Sequence, residues 1–493
     1  MERLRAFFVL AGNLRYTGVV NSNQPTFFFY DLETSGFDPK RQRIMQFAGQ
    51  RTDMDMNPVG DPINILVALS DDVLPDPGAI LLTGITPQKT LEEGYSEADF
   101  LRLLHEQVLT PNTTILGFNS VRFDDEFMRY TLYRNFYDPY EWAWKDGRSR
   151  WDMLDVVRMT RALRPDGIEW PFDENGEPMN RLEKLSAVNG LLHEQAHDAL
   201  SDVVALIAVA KLIKTKQPRL FDHLFKMRDK KEVMKVVDVD DPKPFVYSSG
   251  RYPKHVLHTT VALPLAPGSK PGSVIVYDLR QDPTAWIDMD VQQLKSRRFA
   301  TKEQRQLDGF VPLPAKELSY NKCPAVAPMG VLDEATQKRI QLDLATVEKH
   351  WTILRKNPDL ARKLREVFAR DGAFPSSKDV DGALYDGFVG DRDKGAMSAV
   401  RAADREALAD FHPNFVDERL VGLLLRYKGR NYGQSLSSDE RGAWEAYRSE
   451  RIKSDLPRFS SELARLSANA PEAKAFLLSE LHLWAESIVP FTE

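Results

Sequence analysis

Residues 27–39 read FFFYDLETSGFDP, four aromatic side chains running straight into Asp31, Leu32 and Glu33 before Thr34, Ser35 and Gly36 turn the chain. Consecutive aromatics favour an extended strand in a domain core. Alternate strand residues share a face, so Asp31 and Glu33 point the same way. Two carboxylates held together away from water repel one another and lose hydration. A fold that accepts them there needs a compensating cation, and hard divalent ions prefer oxygen ligands. The D-x-E pattern alone is weak, since Asp124 and Glu126 repeat it and a pair of surface acids would produce it as well. Its place between an aromatic strand and a turn sets Asp31 and Glu33 apart.

At 493 residues the chain exceeds what one core organises, about 150 residues per domain being usual. Its texture changes twice. Over residues 25–217 short β-rich runs (FFFYDLE, RIMQFAGQR, INILVAL, TTILGF) alternate with helical ones (SEADFLRLLHEQVL, DDEFMRYTLYRNF, RWDMLDVVRMTRAL, RLEKLSAVNG, HDALSDVVALIAVAKLIK), which predicts an α/β domain. Residues 218–355 are rich in proline and in short β-like pieces such as FVYSS, HVLHTTVAL and SVIVYDL, predicting a small barrel or sandwich that closes with the helical RIQLDLATVEKHWTIL. Residues 356–493 read as helices, among them LARKLREVFAR, VDERLVGLLLRY and EAKAFLLSELHLWAESIV.

Cys323 is the sole cysteine, so neither an intramolecular disulfide nor a thiolate metal cluster can form, which fits a reducing cytoplasm. The apolar AFFVLAG behind MERLR is short and lacks a convincing cleavage site, so residues 1–24 read as a loose extension or the product of a start codon placed too early. No other apolar run approaches bilayer length, and the expectation is a protein neither secreted nor membrane-spanning. The net charge of -6 does not by itself suggest a nucleic-acid binder, yet residues 211–235 hold nine Lys or Arg against three acids. Such a run is either a solvated helical face or a phosphate-contacting surface.

Two further blocks carry chemistry. In ILGFNSVRFDDEF a strand delivers Asn119 into a turn and Asp124 opens the next helix. Asp124 could serve only as the N-cap, but Asp125 is available for that role and would leave Asp124 free to face a metal. In QAHDALSDVVALIAVAKL, His197 stands five residues before Asp202. There Asp198 could be the cap, His197 a loop residue and Asp202 an acid that favours the helix dipole.

Together the blocks DLE, NSVRFD and HDALSD, giving Asp31, Glu33, Asp124, His197 and Asp202 in order, resemble the DEDDh 3'-to-5' exonucleases. Across residues 25–493, stretches such as INILVALSDDVLPDPGAILLTGITPQ, SRWDMLDVVRMTRALRPDGIEWP and KLIKTKQPRLFDHLF are similar in particular to the bacterial exodeoxyribonuclease I family. The resemblance implies an RNase H-like exonuclease domain with a mixed sheet, followed by an SH3-like β-barrel domain and an all-helical C-terminal domain. It implies Asp31, Glu33, Asp124 and Asp202 as ligands of two Mg2+ ions roughly 4 Å apart, with Mn2+ as a substitute, Asp31 bridging and His197 as general base. It further implies a monomer that digests single-stranded DNA in DNA repair and binds the C-terminal tail of single-stranded DNA-binding protein.

Single strands are held by stacked aromatics and a cationic track. Arg129, Tyr140, Trp144, Arg158 and Arg181 stand at positions similar to the family's DNA contacts, with Arg181 the foremost phosphate contact. Leu82, Thr83, Gly84 and Ile85 resemble the segment lying against the 3'-terminal nucleotide, where glycine allows close approach. Tyr133, Phe136 and Tyr137 fall at helical spacing and read as core. Two other readings stand beside this one: a DEDDh exoribonuclease or proofreading nuclease, disfavoured by the two long extra domains, and an inactive DNA-binding module, disfavoured because no core residue is missing.

Overall fold

Strand β1 (Thr26–Thr34) is buried along its length except at Asp31 and Glu33, which are partly exposed. It pairs antiparallel with β2 (Ile44–Thr52), Asp31 opposite Ala48 and Glu33 opposite Gln46. Its other edge runs parallel to β4 (Thr113–Gly117), and β2 pairs antiparallel with β3 (Ile63–Leu66), giving a mixed sheet in the order β3-β2-β1-β4. The aromatic run thus becomes the innermost strand, as its burial demands. Gly49 on β2 is required by that packing, because a Cβ there would lie 2.2 Å from the Phe28 ring. Gly36 lets the turn after β1 press against Gln42 and Asp76, each within 3.1 Å of where its Cβ would be.

This computed structural model describes residues 24–191, 198–369, 376–468 and 471–489. They form two compact units. The first comprises the described residues of Met1–Ser149, His193–Ile207 and Phe374–Glu493. One of its cores lies on the sheet, with Phe28, Tyr30 and Phe47 against Phe100, Phe127 and Met128. A second joins Met45, Leu69, Ile80 and Ile85 to Ile452, Phe459, Leu481 and Trp484 of the C-terminal helices Ser438–Ser467 and Glu472–Ile488. The second unit, Arg150–Leu192 and Ala208–Ala373, contains an antiparallel sheet of β6 (Phe245–Ser248), β7 (Thr259–Pro267), β8 (Ser273–Asp278), β9 (Ala315–Ser319) and β10 (Ala325–Pro328) in the order β10-β6-β7-β8-β9. Among the described residues no helix is long and apolar enough to cross a membrane.

Several boundaries differ from the sequence expectation for local reasons. RWDMLDVV begins as the end of a strand, β5 (Ser149–Asp152), and Asp152 then caps the helix Met153–Leu163 by accepting from the Leu154 amide at 2.9 Å. HVLHTTVAL enters β7 only at Thr259 because Leu257 and His258 adopt φ of 53° and 57°, which no strand tolerates. SEADFLRLLHEQVL forms the helix Glu97–Leu103 and then a π-helical turn, Leu104–Val108. The 30-residue helix Ser438–Ser467, with Pro457 inside it, lies in the segment read as helical, although its stretch was not singled out there.

Within the first unit, the sheet and the C-terminal helices meet at a buried charge network. Asp381 accepts from Arg430, Arg451 and Tyr447, and Asp72 from Arg430. Arg43, fully buried on β1's neighbouring turn, lies 3.5 Å from Asp72, 3.6 Å from Asp381 and 3.8 Å from Glu97. Despite the opposing cost of burial, the surrounding guanidiniums hold the Asp72 and Asp381 carboxyls well below the usual range. Burial, with Arg134, Arg430 and Arg451 nearby, pushes Arg43 down to about 9.

Removing one member of such a network strands the others, at a cost of about 3–5 kcal/mol. Asp381→Ala is therefore expected to lower the urea midpoint of unfolding sharply. Because the folded-state pKa values of Asp72 and Asp381 are depressed, their contribution is complete above about pH 4 and is lost as the pH falls below it. Urea titrations from pH 7 to 3 should show this acid limb in the wild type and a shallower one in Asp381→Asn.

Candidate active site

Asp31 and Glu33 leave β1 on one face, as the pleat requires, and Asp202 reaches the same place from the first turn of the helix Ala199–Lys216. One carboxylate oxygen from each of the three lies within 4.8 Å of the others. Asp198 performs the capping, accepting from the Ser201 amide and hydroxyl at 3.1 Å each, while the Asp202 amide donates to the Asp198 carbonyl. That division of labour leaves the Asp202 side chain to join the cluster.

Asp124 is buried at the start of the helix Asp124–Arg134 and is the strongest neighbouring charge on Asp31. The expectation that Asp125 caps this helix is corrected. A 3-10 turn, Ser120–Arg122, runs directly into the helix, and the cap position falls on Phe123 with no side-chain bond. Asp125 instead accepts a hydrogen bond from the Tyr30 hydroxyl at 2.8 Å. His197 lies outside the described residues.

The acids of the cluster raise one another. Burial first, then Asp124, Glu33, Asp202 and Asp198, raises Asp31 well above the usual carboxylate range. Burial, followed by Asp202 and Asp198, pushes Glu33 up to about 8. The strongest neighbouring charges on both are therefore other carboxylates. A set of hard oxygen donors destabilised by mutual repulsion fits divalent cations of the magnesium and calcium kind and does not fit a soft, thiolate-seeking metal.

The structure separates the expected substrate contacts. Leu82, Thr83 and Gly84 end the helix Pro77–Thr83, Gly84 at a φ of 71° that favours glycine, and Leu82 is exposed. Ile85 is buried in the core with Met45 and Trp484. Arg129 is mostly buried and held by Glu126 at 2.7 Å, with its guanidinium 5.9 Å from the Tyr140 ring centroid. Trp144 is exposed. Arg158 is largely buried and bound to Asp155 at 2.6 Å, whereas Arg181 is exposed, with Glu183 no nearer than 3.9 Å. Tyr133 and Phe136 are fully buried, and Tyr137 is partly buried against the sheet core.

Sequence reasoning missed Tyr385 and Phe388. The Tyr385 hydroxyl donates to Glu126 at 2.6 Å, and the Phe388 ring lies 5.6 Å from Tyr140, both rings being exposed. With Tyr133, Asp138, Tyr140 and Lys394, Phe388 borders a cavity of about 240 Å³. The available signal was YDGFVGD, two aromatics in a glycine-containing turn with no helical or strand period.

The family models described as Exonuclease, Exonuclease I SH3-like domain and Exonuclease I C-terminal domain match residues 28–210, 228–370 and 378–488. Exodeoxyribonuclease I of Escherichia coli strain K12 is 40% identical over 471 residues, covering 94% of this chain and 98% of that protein. The Haemophilus influenzae enzyme is 39% identical over 442 residues, 90% of this chain and 93% of that one. An oligoribonuclease of Marinobacter nauticus aligns over only 36% of the chain, at 27% identity. Among solved structures, E. coli exonuclease I in complex with a dA16 oligonucleotide superposes with a TM-score of 0.91 at 40% identity, over 94% of this chain and all of that one. Exonuclease I from Methylocaldum szegediense gives a TM-score of 0.89 at 39% identity, with the same coverage. A zinc-bound E. coli exonuclease I complex with single-stranded DNA is similar to the same extent, at a TM-score of 0.90. An exonuclease segment, an SH3-like segment and a C-terminal segment are thus shared with these enzymes along nearly the whole chain, which belongs to the exodeoxyribonuclease I family.

Proposed function

We propose that this chain is a Mg2+-dependent exonuclease that removes 5'-mononucleotides from the 3' end of single-stranded DNA in DNA repair, acting as a cytoplasmic monomer, with Mn2+ able to replace Mg2+. The observation that carries the reading is the convergence of Asp31, Glu33 and Asp202 within 4.8 Å, with burial and the neighbouring acids, Asp124 foremost on Asp31, raising Asp31 and Glu33. Single-stranded DNA as substrate is supported by the oligonucleotides bound to its structural neighbours.

Asp31, Glu33, Asp124 and Asp202 would hold the ions. When bound, a divalent pair supplies an acidified water and stabilises charge on the attacking and leaving oxygens. An imidazole ordinarily titrates near neutrality and can take the proton from an attacking water; that His197 fills this role is what the resemblance of HDALSD to the family implies. Leu82, Thr83 and Gly84 face the terminal nucleotide. Arg181, exposed beside the helix Leu182–Val188, contacts a backbone phosphate, and Trp144 offers a face for a base. Tyr140, Arg129 and Arg158 act from more enclosed positions, each arginine sharing its charge with a local acid. Exonuclease, SH3-like and helical segments at 25–217, 218–355 and 356–493 are the corresponding division of the chain, and the tail of single-stranded DNA-binding protein is the corresponding partner.

End-labelled single-stranded DNA, duplex DNA and RNA, each incubated with and without Mg2+, should show metal-dependent release of 5'-mononucleotides from single-stranded DNA alone. Preference for RNA would favour the exoribonuclease reading, and internal cuts would overturn both. His197→Ala is expected to reduce turnover by about 10²–10⁴-fold, and Asp31→Ala by at least as much, with the circular dichroism spectrum unchanged. Since burial and neighbouring acids disfavour the charged form of Asp31, Asp31→Asn should melt above wild type in EDTA, and its gain in melting temperature on adding Mg2+ should be smaller than the wild-type gain.

A further inference from the structure

We propose that Tyr30 and Asp125 are positioning residues whose hydrogen bond sets the separation between the strand that carries Asp31 and the helix that carries Asp124. The proposal rests on the functional reading above. Tyr30 immediately precedes Asp31 on β1, and Asp125 immediately follows Asp124 at the helix start. The phenol donates to Asp125 Oδ1 at 2.8 Å across 95 residues of chain. Tyr30 is 2% exposed and Asp125 1% exposed.

Geometry gives the bond its consequence. Neighbouring residues on a strand point to opposite faces, whereas neighbours in a helical turn diverge by about 100°. Tyr30 therefore enters the apolar core beside Phe127 and Met128 of the helix, while Asp31 leaves on the other face. Asp124 and Asp125, diverging at one helix terminus, address the two sides of β1: Asp124 acts on Asp31, and Asp125 binds Tyr30.

The forces on the two sides have opposite sign. Asp31 and Asp124 repel, and that repulsion drives β1 and the helix apart wherever no cation lies between them. One residue along, a hydroxyl bound to a carboxylate draws the same two elements together. The phenyl ring of Tyr30 packs on Phe47 with a centroid distance of 6.2 Å, which fixes the direction in which the hydroxyl reaches. Tyr30→Phe would keep that packing and delete the phenol's bond to Asp125, weakening a tie that holds Asp124 near Asp31. Outer partners of this kind typically change metal affinity by about 10–100-fold.

The test is a titration of the full-length protein with Mn2+ alone, without DNA, followed by calorimetry, with Mg2+ half-saturation of hydrolysis and the melting temperature measured in parallel. Tyr30→Phe is expected to raise the Mn2+ Kd and the Mg2+ half-saturation point together, each by about tenfold, with kcat at saturating Mg2+ within about twofold of wild type. Asp125→Asn keeps an oxygen acceptor for the phenol and should bind Mn2+ like the wild type. A Tyr30→Phe protein with a lower melting temperature but an unchanged Mn2+ Kd would reduce the bond to a structural one and overturn the proposal. So would an Asp125→Asn protein as impaired as Tyr30→Phe, since the charge and not the bond would then matter. Asp31→Asn separates the two levels: if it titrates exactly as the wild type does, the metal-site reading fails, and if it loses binding while Tyr30→Phe does not, only the positioning role fails.

Discussion

Carboxylates that repel one another can be held together only by a frame stiffer than their repulsion. In this protein that frame is β1, inner strand of the sheet, with β2 and β4 on its edges and aromatic side chains filling its faces. The same unit buries a second group of acids, and the contrast between the two is instructive. Asp72 and Asp381 sit among Arg43, Arg430 and Arg451 and are held ionised, far below the usual carboxylate range. Asp31 and Glu33 have acids for their strongest charged neighbours and are driven upward. One cluster is closed by the chain's own cations and is therefore structural. The other is a set of carboxylates that raise one another, a donor arrangement suited to a divalent cation.

The two clusters are physically connected. The turn after β1 is pinned by reciprocal bonds, the Ser35 amide donating to the Arg43 carbonyl at 2.9 Å and the Arg43 amide to the Ser35 hydroxyl at 2.8 Å. The Asp76 amide donates to the Ser35 carbonyl at 2.7 Å, and Arg451 from the C-terminal helices donates to the Arg41 carbonyl. Arg43 carries this turn into the charge network with Asp72 and Asp381. The C-terminal helices therefore brace the end of the strand on which Asp31 and Glu33 stand. Their contribution to the site is mechanical, made through arginines that never approach the carboxylates they help to hold.

How much of this was legible in the sequence follows from what each feature depends on. Strands β1, β2 and β4 and the helix Asp124–Arg134 announced themselves because their hydrophobic period is local. The acids could be gathered only through the family pattern, since nothing in the spacing of Asp31, Asp124 and Asp202 tells that three distant segments meet. Asp125 was assigned to the wrong partner because capping is a local rule, and the Tyr30 hydroxyl that claims it comes from 95 residues away. Ile85 was placed with Leu82, Thr83 and Gly84 by resemblance, and its burial under helices more than 350 residues further along could not be read from the local sequence. The charge network was invisible for the same reason: Arg43, Asp72, Asp381 and Arg430 are unremarkable singly and are defined by one another.

Stability and function pull in opposite directions at β1, and the structure shows where the balance is struck. A strand of Phe27, Phe28, Phe29 and Tyr30 would be most stable if apolar residues continued through positions 31 and 33, whose side chains are partly buried. Acids there violate the local rule that burial favours apolar groups, and violations of this kind concentrate where a ligand restores the balance. The violation is affordable because it is confined to the strand's end, where partial exposure lets water share the charge, while the aromatic half keeps the sheet intact. Moving the acids two residues inward would place them at Phe29 and Asp31, opposite Gln50 and Ala48 and deep among the aromatic rings. There desolvation would outweigh what a cation returns. The register of the D-x-E pair on its strand is thus set by the depth at which a carboxylate can be both rigidly held and still reached by an ion.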